Sequence, residues 1–320
     1  MKVLVLIPGY LENNMQYRDK LVESGYEIIE STDIKKTEIS TLDERFLATV
    51  DAVITGVSKF GEAEFQRMPN LKLLCKTGKG VDSIDLVAAA KHGVIVTNTA
   101  GSNADAVAEI AICYMILASR YVLDRNKEVK SGKWFKGISG CEIQDKVICF
   151  LGFGDIAQRI ARRLANFNVV MKAYDVHPNK DLADELNVEL VSFDDLLKCA
   201  DILTVHIPNL PETFEILNSK SFAMLKSGCK LINTSRGQVI NEKDLVKCLK
   251  DGTISYAALD TFQHEPIEPD NELLKLENVL LTPHIAGSSE ESAIREIRLI
   301  INNLLNFKSG TLECLTGRLT

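Results

Sequence analysis

Short apolar runs alternate with stretches whose apolar residues recur every three or four positions, from end to end of this 320-residue chain. Runs such as Lys2–Ile7 (KVLVLI), Ala52–Thr55 (AVIT) and Val147–Leu151 (VICFL) are too short for helices and rich in β-branched residues. They suit strands of a parallel sheet buried on both faces. In the first hundred residues the pattern predicts strands at Lys2–Ile7, Tyr26–Ile29, Ala52–Thr55, Leu71–Cys75 and Val94–Val96. Helices near Asn14–Ser24, Leu42–Thr49, Gly61–Met68 and Ile84–His92 separate them, which makes one doubly wound unit. Ser102–Arg120 follows as a long apolar helix without Pro or Gly, with Ser102 as its cap. After a polar stretch, Asp124–Lys136, strands resume at Val147–Leu151, Val169–Tyr174, Ile202–Val205, Cys229–Asn233, Ile254–Leu259 and Val279–Leu281. The last helix runs from Ser288 to Lys308, with Ile294, Ile297, Ile301, Leu304 and Leu305 on one stripe. The expected fold class is α/β, with two Rossmann-like domains built on parallel sheets.

Composition narrows the classes of function. The net charge is −7, and the densest basic group, Arg159, Arg162 and Arg163, reads as the solvated face of one helix, so nucleic-acid binding has no electrostatic support. No apolar stretch reaches the roughly 18 residues of a membrane span, and the start MKVLVLIPGYLENN turns polar too soon for a signal peptide. The eight cysteines lack C-x-x-C spacing, and Cys149 and Cys229 sit inside apolar strands. Reduced thiols in a cytosol are expected, and no metal.

The most specific chemistry lies in residues 147–175, VICFLGFGDIAQRIARRLANFNVVMKAYD. Strand Val147–Leu151 runs into Gly152, Gly154 and Ala157, a G-x-G-x-x-A turn at a strand–helix junction. The first glycine permits the tight turn, the second leaves room for a pyrophosphate, and the alanine lets helix and strand pack closely. Free N–H groups at the helix start favour phosphate charge. Asp175 closes the second strand where an acid would meet a ribose hydroxyl. Together these predict an NAD site.

Ligands of an open α/β sheet bind beyond the carboxyl ends of its strands. Four later strands are followed there by His206-Ile-Pro208, Thr234-Ser-Arg236-Gly237, Asp260 with Glu265-Pro266, and Thr282-Pro-His284. Oxidising a 2-hydroxy acid needs a base at the hydroxyl, and histidine titrates near neutral pH. A carboxylate can fix its tautomer, and a guanidinium can clamp the substrate carboxylate bidentately. His284, Glu265 and Arg236 fit these three roles.

Gly78-Lys-Gly80-Val-Asp82-Ser-Ile-Asp85, Asn103 with Val107-Ala-Glu109, the glycine turn, Ile232-Asn-Thr-Ser-Arg236-Gly237 and Thr282-Pro-His284-Ile-Ala-Gly287 extend the pattern over nearly the whole chain. In them the sequence resembles the D-isomer-specific 2-hydroxyacid dehydrogenases, most nearly the branch that oxidises 3-phosphoglycerate. The resemblance implies that Arg236 anchors the substrate, His284 is the acid/base and Glu265 its partner. It places Asp260 near the nicotinamide amide. Gly152, Gly154, Asp155, Ile156, Asp175, His206, Ile207, Pro208, Thr213, Thr234, Ser235, Ala286 and Gly287 would lie along the cofactor.

Substrate contacts would come from Arg236, His284, Asn103 and the turn Lys76, Thr77, Gly78, Lys79 and Gly80, whose N–H groups form a nest for the substrate carboxylate. Residues 1–100 with 288–320 would form the substrate domain and 101–287 the NAD domain, with the active-site cleft between them. The helix over 102–120 would support a homodimer.

Ser83 departs from the usual Asn, while Lys76 and Gly56 stand where phosphoglycerate enzymes carry Arg. The chain stops soon after its last helix, which implies no C-terminal regulatory domain. Loops near 56–59, 76–80 and 134–138 would set the substrate. 3-Phosphoglycerate oxidation is the first expectation and glyoxylate or hydroxypyruvate reduction the alternative. A non-catalytic, NAD-sensing corepressor-like protein is a third reading, of another class.

Overall fold

Strand β1 (Lys2–Val5) shows why the apolar runs fold as they do, because its alternate residues face two different cores. Val3 and Val5 pack with Ile297, Ile301 and Leu304 of the last helix, while Leu4 packs with Phe60, Phe65 and Leu74. A strand with helices on both faces must be apolar throughout, as a doubly wound sheet requires. The computed structural model describes residues 1–30, 39–134 and 139–320, in two units: Met1–Asn103 with Ser289–Thr320, and Ala104–Ser288.

In the first unit β1 is joined by β2 (Glu27–Glu30), β3 (Ala52–Thr55), β4 (Leu73–Lys76) and β5 (Ile95–Asn98), in the order β2-β1-β3-β4-β5. All pairs are parallel. The chain end lies along β5, with Leu319 N–H donating to the Val96 carbonyl and Gly317 accepting from Asn98 N–H, both at 2.9 Å. It covers an edge that would otherwise offer unpaired backbone groups. The last helix, Glu290–Ser309, buries Ile297, Ile300, Ile301 and Leu304, whereas Ile294, expected on that stripe, is exposed.

The second unit holds β6 (Val147–Leu151), β7 (Val170–Tyr174), β8 (Val188–Leu190), β9 (Ile202–Val205), β10 (Cys229–Asn233), β11 (Ile254–Leu259) and β12 (Val279–Leu281). Their order is β12-β11-β10-β9-β6-β7-β8, parallel throughout. The winding reverses between β6 and β9, and such a switch point opens a crevice at the carboxyl ends of the strands.

Three expectations need correction. The long helix spans Ala104–Arg120, so Asn103 and not Ser102 precedes it. Ser102 is buried, and its carbonyl accepts from Arg295 Nε at 2.7 Å. Within the polar stretch, Val122–Lys130 is a helix with no buried residue. Strand β8 was not expected. Among the described residues no single helix is long and apolar enough to cross a membrane.

Candidate active site

The glycine turn after β6 fixes the switch point. Gly152 has a φ of +90°, and a Cβ there would lie 2.9 Å from the backbone of His206 and from Ile207 Cγ2. Only glycine fits, so the ends of β6 and β9 meet closely. Gly154 differs: a Cβ there would meet nothing within 4 Å. It precedes the helix Asp155–Leu164, whose first N–H groups lack partners inside the helix. Ala157 is fully buried, as close helix packing requires, and Ile156 packs partly buried beside it. Asp155 pairs with Arg159 Nε at 2.9 Å.

Asp175, at the end of β7, accepts from Phe153 N–H at 2.7 Å and from His177 N–H at 2.8 Å. The acid therefore also braces the glycine turn. Beyond β9, Thr213 Oγ1 donates to the Pro208 carbonyl at 2.6 Å and accepts from Leu210 N–H at 2.8 Å, closing that loop on itself. Two buried polar atoms beside these strand ends, His206 Nδ1 and Thr234 Oγ1, have no partner among the described residues. Open space at Gly154, unpaired helix N–H groups and two orphaned polar atoms fit a dinucleotide.

The two histidines at this edge differ in kind. The His206 ring bonds Thr204 Oγ1 through Nε2 at 2.8 Å, and burial pushes its pKa down to about 3. A ring that stays neutral cannot trade protons near pH 7. His284 is half exposed, and its Nδ1 lies 2.7 Å from Glu265 Oε2. Glu265 Oε1 accepts from Phe262 N–H at 3.0 Å, which fixes the carboxylate. With Nδ1 engaged, Nε2 is the nitrogen left to exchange a proton with a ligand.

His284 has a φ of +55°, uncommon for a residue with a side chain. Asp260 maintains it. Its carbonyl accepts from His284 N–H at 2.9 Å, and its buried carboxylate accepts from Ile285 and Ala286 N–H at 2.9 and 2.8 Å. Thr282 Oγ1 donates to the same carboxylate and also contacts the Tyr114 hydroxyl. Asp260, expected beside the nicotinamide amide, also holds the loop that follows His284.

Arg236 follows β10. Its Nη1 donates to the Ser235 carbonyl at 2.8 Å, and Asn233 ties the turn by accepting from Ser235 and donating to the Arg236 carbonyl. Gly237 makes the turn possible, because a Cβ there would sit 1.9 Å from the Phe262 carbonyl carbon. Adjacent strands β10, β11 and β12 thus bring Arg236, Asp260 and His284 to one edge. Among the described residues no group of three or more His, Cys, Asp and Glu could hold a metal.

In the first unit, the turn after β4 is held by side chains far along the sequence. Gly78, at a φ of +78°, donates its N–H to Thr99 Oγ1 at 2.6 Å and to Glu296 Oε2 at 3.0 Å. That amide is engaged within the protein, whereas those of Lys79 and Gly80 make no hydrogen bond among the described residues. Lys76 Nζ donates to the Thr77 carbonyl at 2.6 Å, and Thr77 N–H to the Thr55 carbonyl at 2.9 Å. Lys79 is exposed and Asn103 half-buried.

Glu296 escapes the sequence reading. It also accepts from the Tyr10 hydroxyl at 3.3 Å, and burial holds its carboxyl above the usual range although Gly78, Tyr10 and Lys76 pull the other way. The available signal was a carboxylate four residues before Ile300, on the helix's inner face. Of the loop 134–138, residues 135–138 lie outside the described ones.

Residues 112–286 match the family described as D-isomer specific 2-hydroxyacid dehydrogenase, NAD binding domain. A D-3-phosphoglycerate dehydrogenase from Archaeoglobus fulgidus is 34% identical over 97% of this chain, which spans 58% of that relative's length. A glyoxylate reductase from Thermococcus litoralis is also 34% identical, over 91% of this chain and 90% of its own. The solved D-lactate dehydrogenase from Aquifex aeolicus, in complex with NAD and lactic acid, superposes with a TM-score of 0.87. It is 26% identical, with 98% of this chain and 97% of that one covered. The chain belongs to the D-isomer-specific 2-hydroxyacid dehydrogenase family, NAD-dependent oxidoreductases acting on the CH–OH group of 2-hydroxy acids. Its cofactor is NAD.

Proposed function

We propose that this chain reduces short, unphosphorylated 2-keto acids, glyoxylate and hydroxypyruvate, to D-2-hydroxy acids. The observation that carries the chemistry is the His284–Glu265 pair, held at the sheet edge that also carries the glycine turn and Arg236. Bound NADH supplies the reducing equivalent. Gly152, Gly154, Asp175 and Thr234 would hold the cofactor. Arg236 binds the substrate carboxylate and polarises the neighbouring carbonyl. His284 Nε2 delivers a proton to the carbonyl oxygen in reduction and takes it back in oxidation. Glu265 orients the ring and stabilises its protonated form.

The preference for an unphosphorylated substrate rests on the turn after β4. Lys76 Nζ is tied back to a carbonyl, Gly78 N–H is engaged, and the Glu296 carboxyl lies directly behind. A phosphate dianion would find few free donors there, and a short keto acid needs fewer. This reverses the order expected from sequence resemblance. 3-Phosphoglycerate oxidation stays as a second reading, favoured by the Archaeoglobus relative and by Lys79 and Lys59 as point charges.

Changing Lys79 to Ala tests the choice. If a phosphoryl group is read there, phosphohydroxypyruvate reduction falls far more than glyoxylate reduction, and equal losses favour the short acids. We also read the chain as a homodimer of a reducing cytosol, in keeping with its eight free cysteines. Sedimentation velocity checks the dimer.

A further inference from the structure

At the opposite edge of the second unit's sheet, beside the amino-terminal ends of β6, β9 and β10, lies a cavity of about 140 Å³. Ser119, Cys141, Lys146, Asp201, Lys226 and Lys230 are among its lining residues. Three lysines and one aspartate thus line it. Asp201 is already satisfied, since its carboxylate accepts from Val147 N–H at 2.8 Å and from Lys226 Nζ at 3.0 Å.

Lys146 and Lys230 form no ion pair among the described residues. Lys230 is only 8% exposed, so its aliphatic stem is buried while its ammonium, bonded to no described residue, keeps access to open space. Ser119, 1% exposed, has an Oγ with no hydrogen-bond partner among the described residues. A buried hydroxyl left unbonded is uncommon and needs a reason. An apolar or cationic ligand would answer neither group. A compact oxyanion would accept from both lysines and from the serine at once. Three positive charges against one negative leave a surplus of two, which matches a dianion.

We propose that this cavity binds phosphate, as the free ion or as the phosphoryl group of a small metabolite. It is separate from the NAD turn, which lies at the other ends of the same strands. Calorimetric titration of the NADH-saturated full chain tests it, with inorganic phosphate and glycerol 3-phosphate as probes and potassium chloride at matched ionic strength as the control.

Saturable binding of one phosphate is expected, weakened at least tenfold in Lys230→Met and in Lys146→Gln while NADH affinity stays unchanged. Lys146 lies at the start of a strand and is half-buried, so its variant keeps the test open if Lys230→Met folds poorly. Tighter binding of inorganic phosphate identifies the free ion as the ligand. Equal or tighter binding of the ester identifies a metabolite. The proposal is overturned if no saturable heat appears, if chloride reproduces it, or if Lys79→Ala weakens it and Lys146→Gln does not.

Discussion

Replacing Glu265 by Gln removes one charge and one acceptor at nearly constant shape. The amide oxygen can still accept from Phe262 N–H, now at 3.0 Å, but the amide NH2 then faces His284 Nδ1 and the negative charge 2.7 Å from it is gone. Two unit charges at that separation interact by about 1.5 kcal/mol at a water-like dielectric and about 3 kcal/mol at an effective value near 40. The pair is 50% and 35% exposed, which sets it between these limits and not in a dry interior. The loss falls on the protonated ring, hence on the step in which His284 receives the hydroxyl proton during oxidation. A barrier raised by that amount slows kcat for oxidation roughly 10- to 150-fold. Steady-state kinetics with NAD and a D-2-hydroxy acid reads the effect, with NADH binding by fluorescence expected to stay within twofold of wild type. A kcat for oxidation within twofold of wild type would refute the reasoning, because the carboxylate would then do no more than a neutral side chain in its place.

Arg236→Lys keeps the charge but loses the planar fork, so kcat/KM for the keto acid should fall at least about 10-fold, the value of one charged hydrogen bond; an unchanged value makes Arg236 a structural residue of its turn. Asp175→Ala strips acceptors from Phe153 and His177 N–H, so Tm should drop and the preference for NADH over NADPH should narrow together; a narrowed preference without any loss of Tm would deny the bracing role. Glu296→Gln should flatten the pH dependence of folding stability. Burial raises its carboxyl pKa, so the folded protein keeps a proton that the unfolded chain has lost, and this group's contribution to stability declines as pH rises above 4.5 towards the folded value. Denaturant titrations at several pH values should show that slope in wild type and not in the variant, and identical slopes would count against it.

The parts of this molecule legible in its sequence are those where one local rule decides. Val147–Leu151 can only be a buried strand, and Gly152 can only be glycine because the β9 end lies against it. Arg236, Asp260 and His284 were readable because each directly follows an apolar strand. What the sequence hid is settled by contacts between distant residues or by missing contrast. Strand β8 is three residues long at a sheet edge, and the helix Val122–Lys130 buries nothing, so neither leaves a periodic signal. The tie between Gly78 and Glu296 joins residues 218 positions apart, and it changes what the turn after β4 can offer a substrate. Nothing local reveals that the Asp260 carboxylate also holds the loop two dozen residues on.

The most direct test is steady-state kcat/KM with NADH for glyoxylate, hydroxypyruvate and phosphohydroxypyruvate, on wild type and on His284→Ala. The account expects the two unphosphorylated acids to be turned over most efficiently, and kcat to fall roughly 10²–10⁴-fold in the variant with NADH still bound. NADH binding without turnover of any of the three would contradict it and leave a dinucleotide sensor in place of an enzyme.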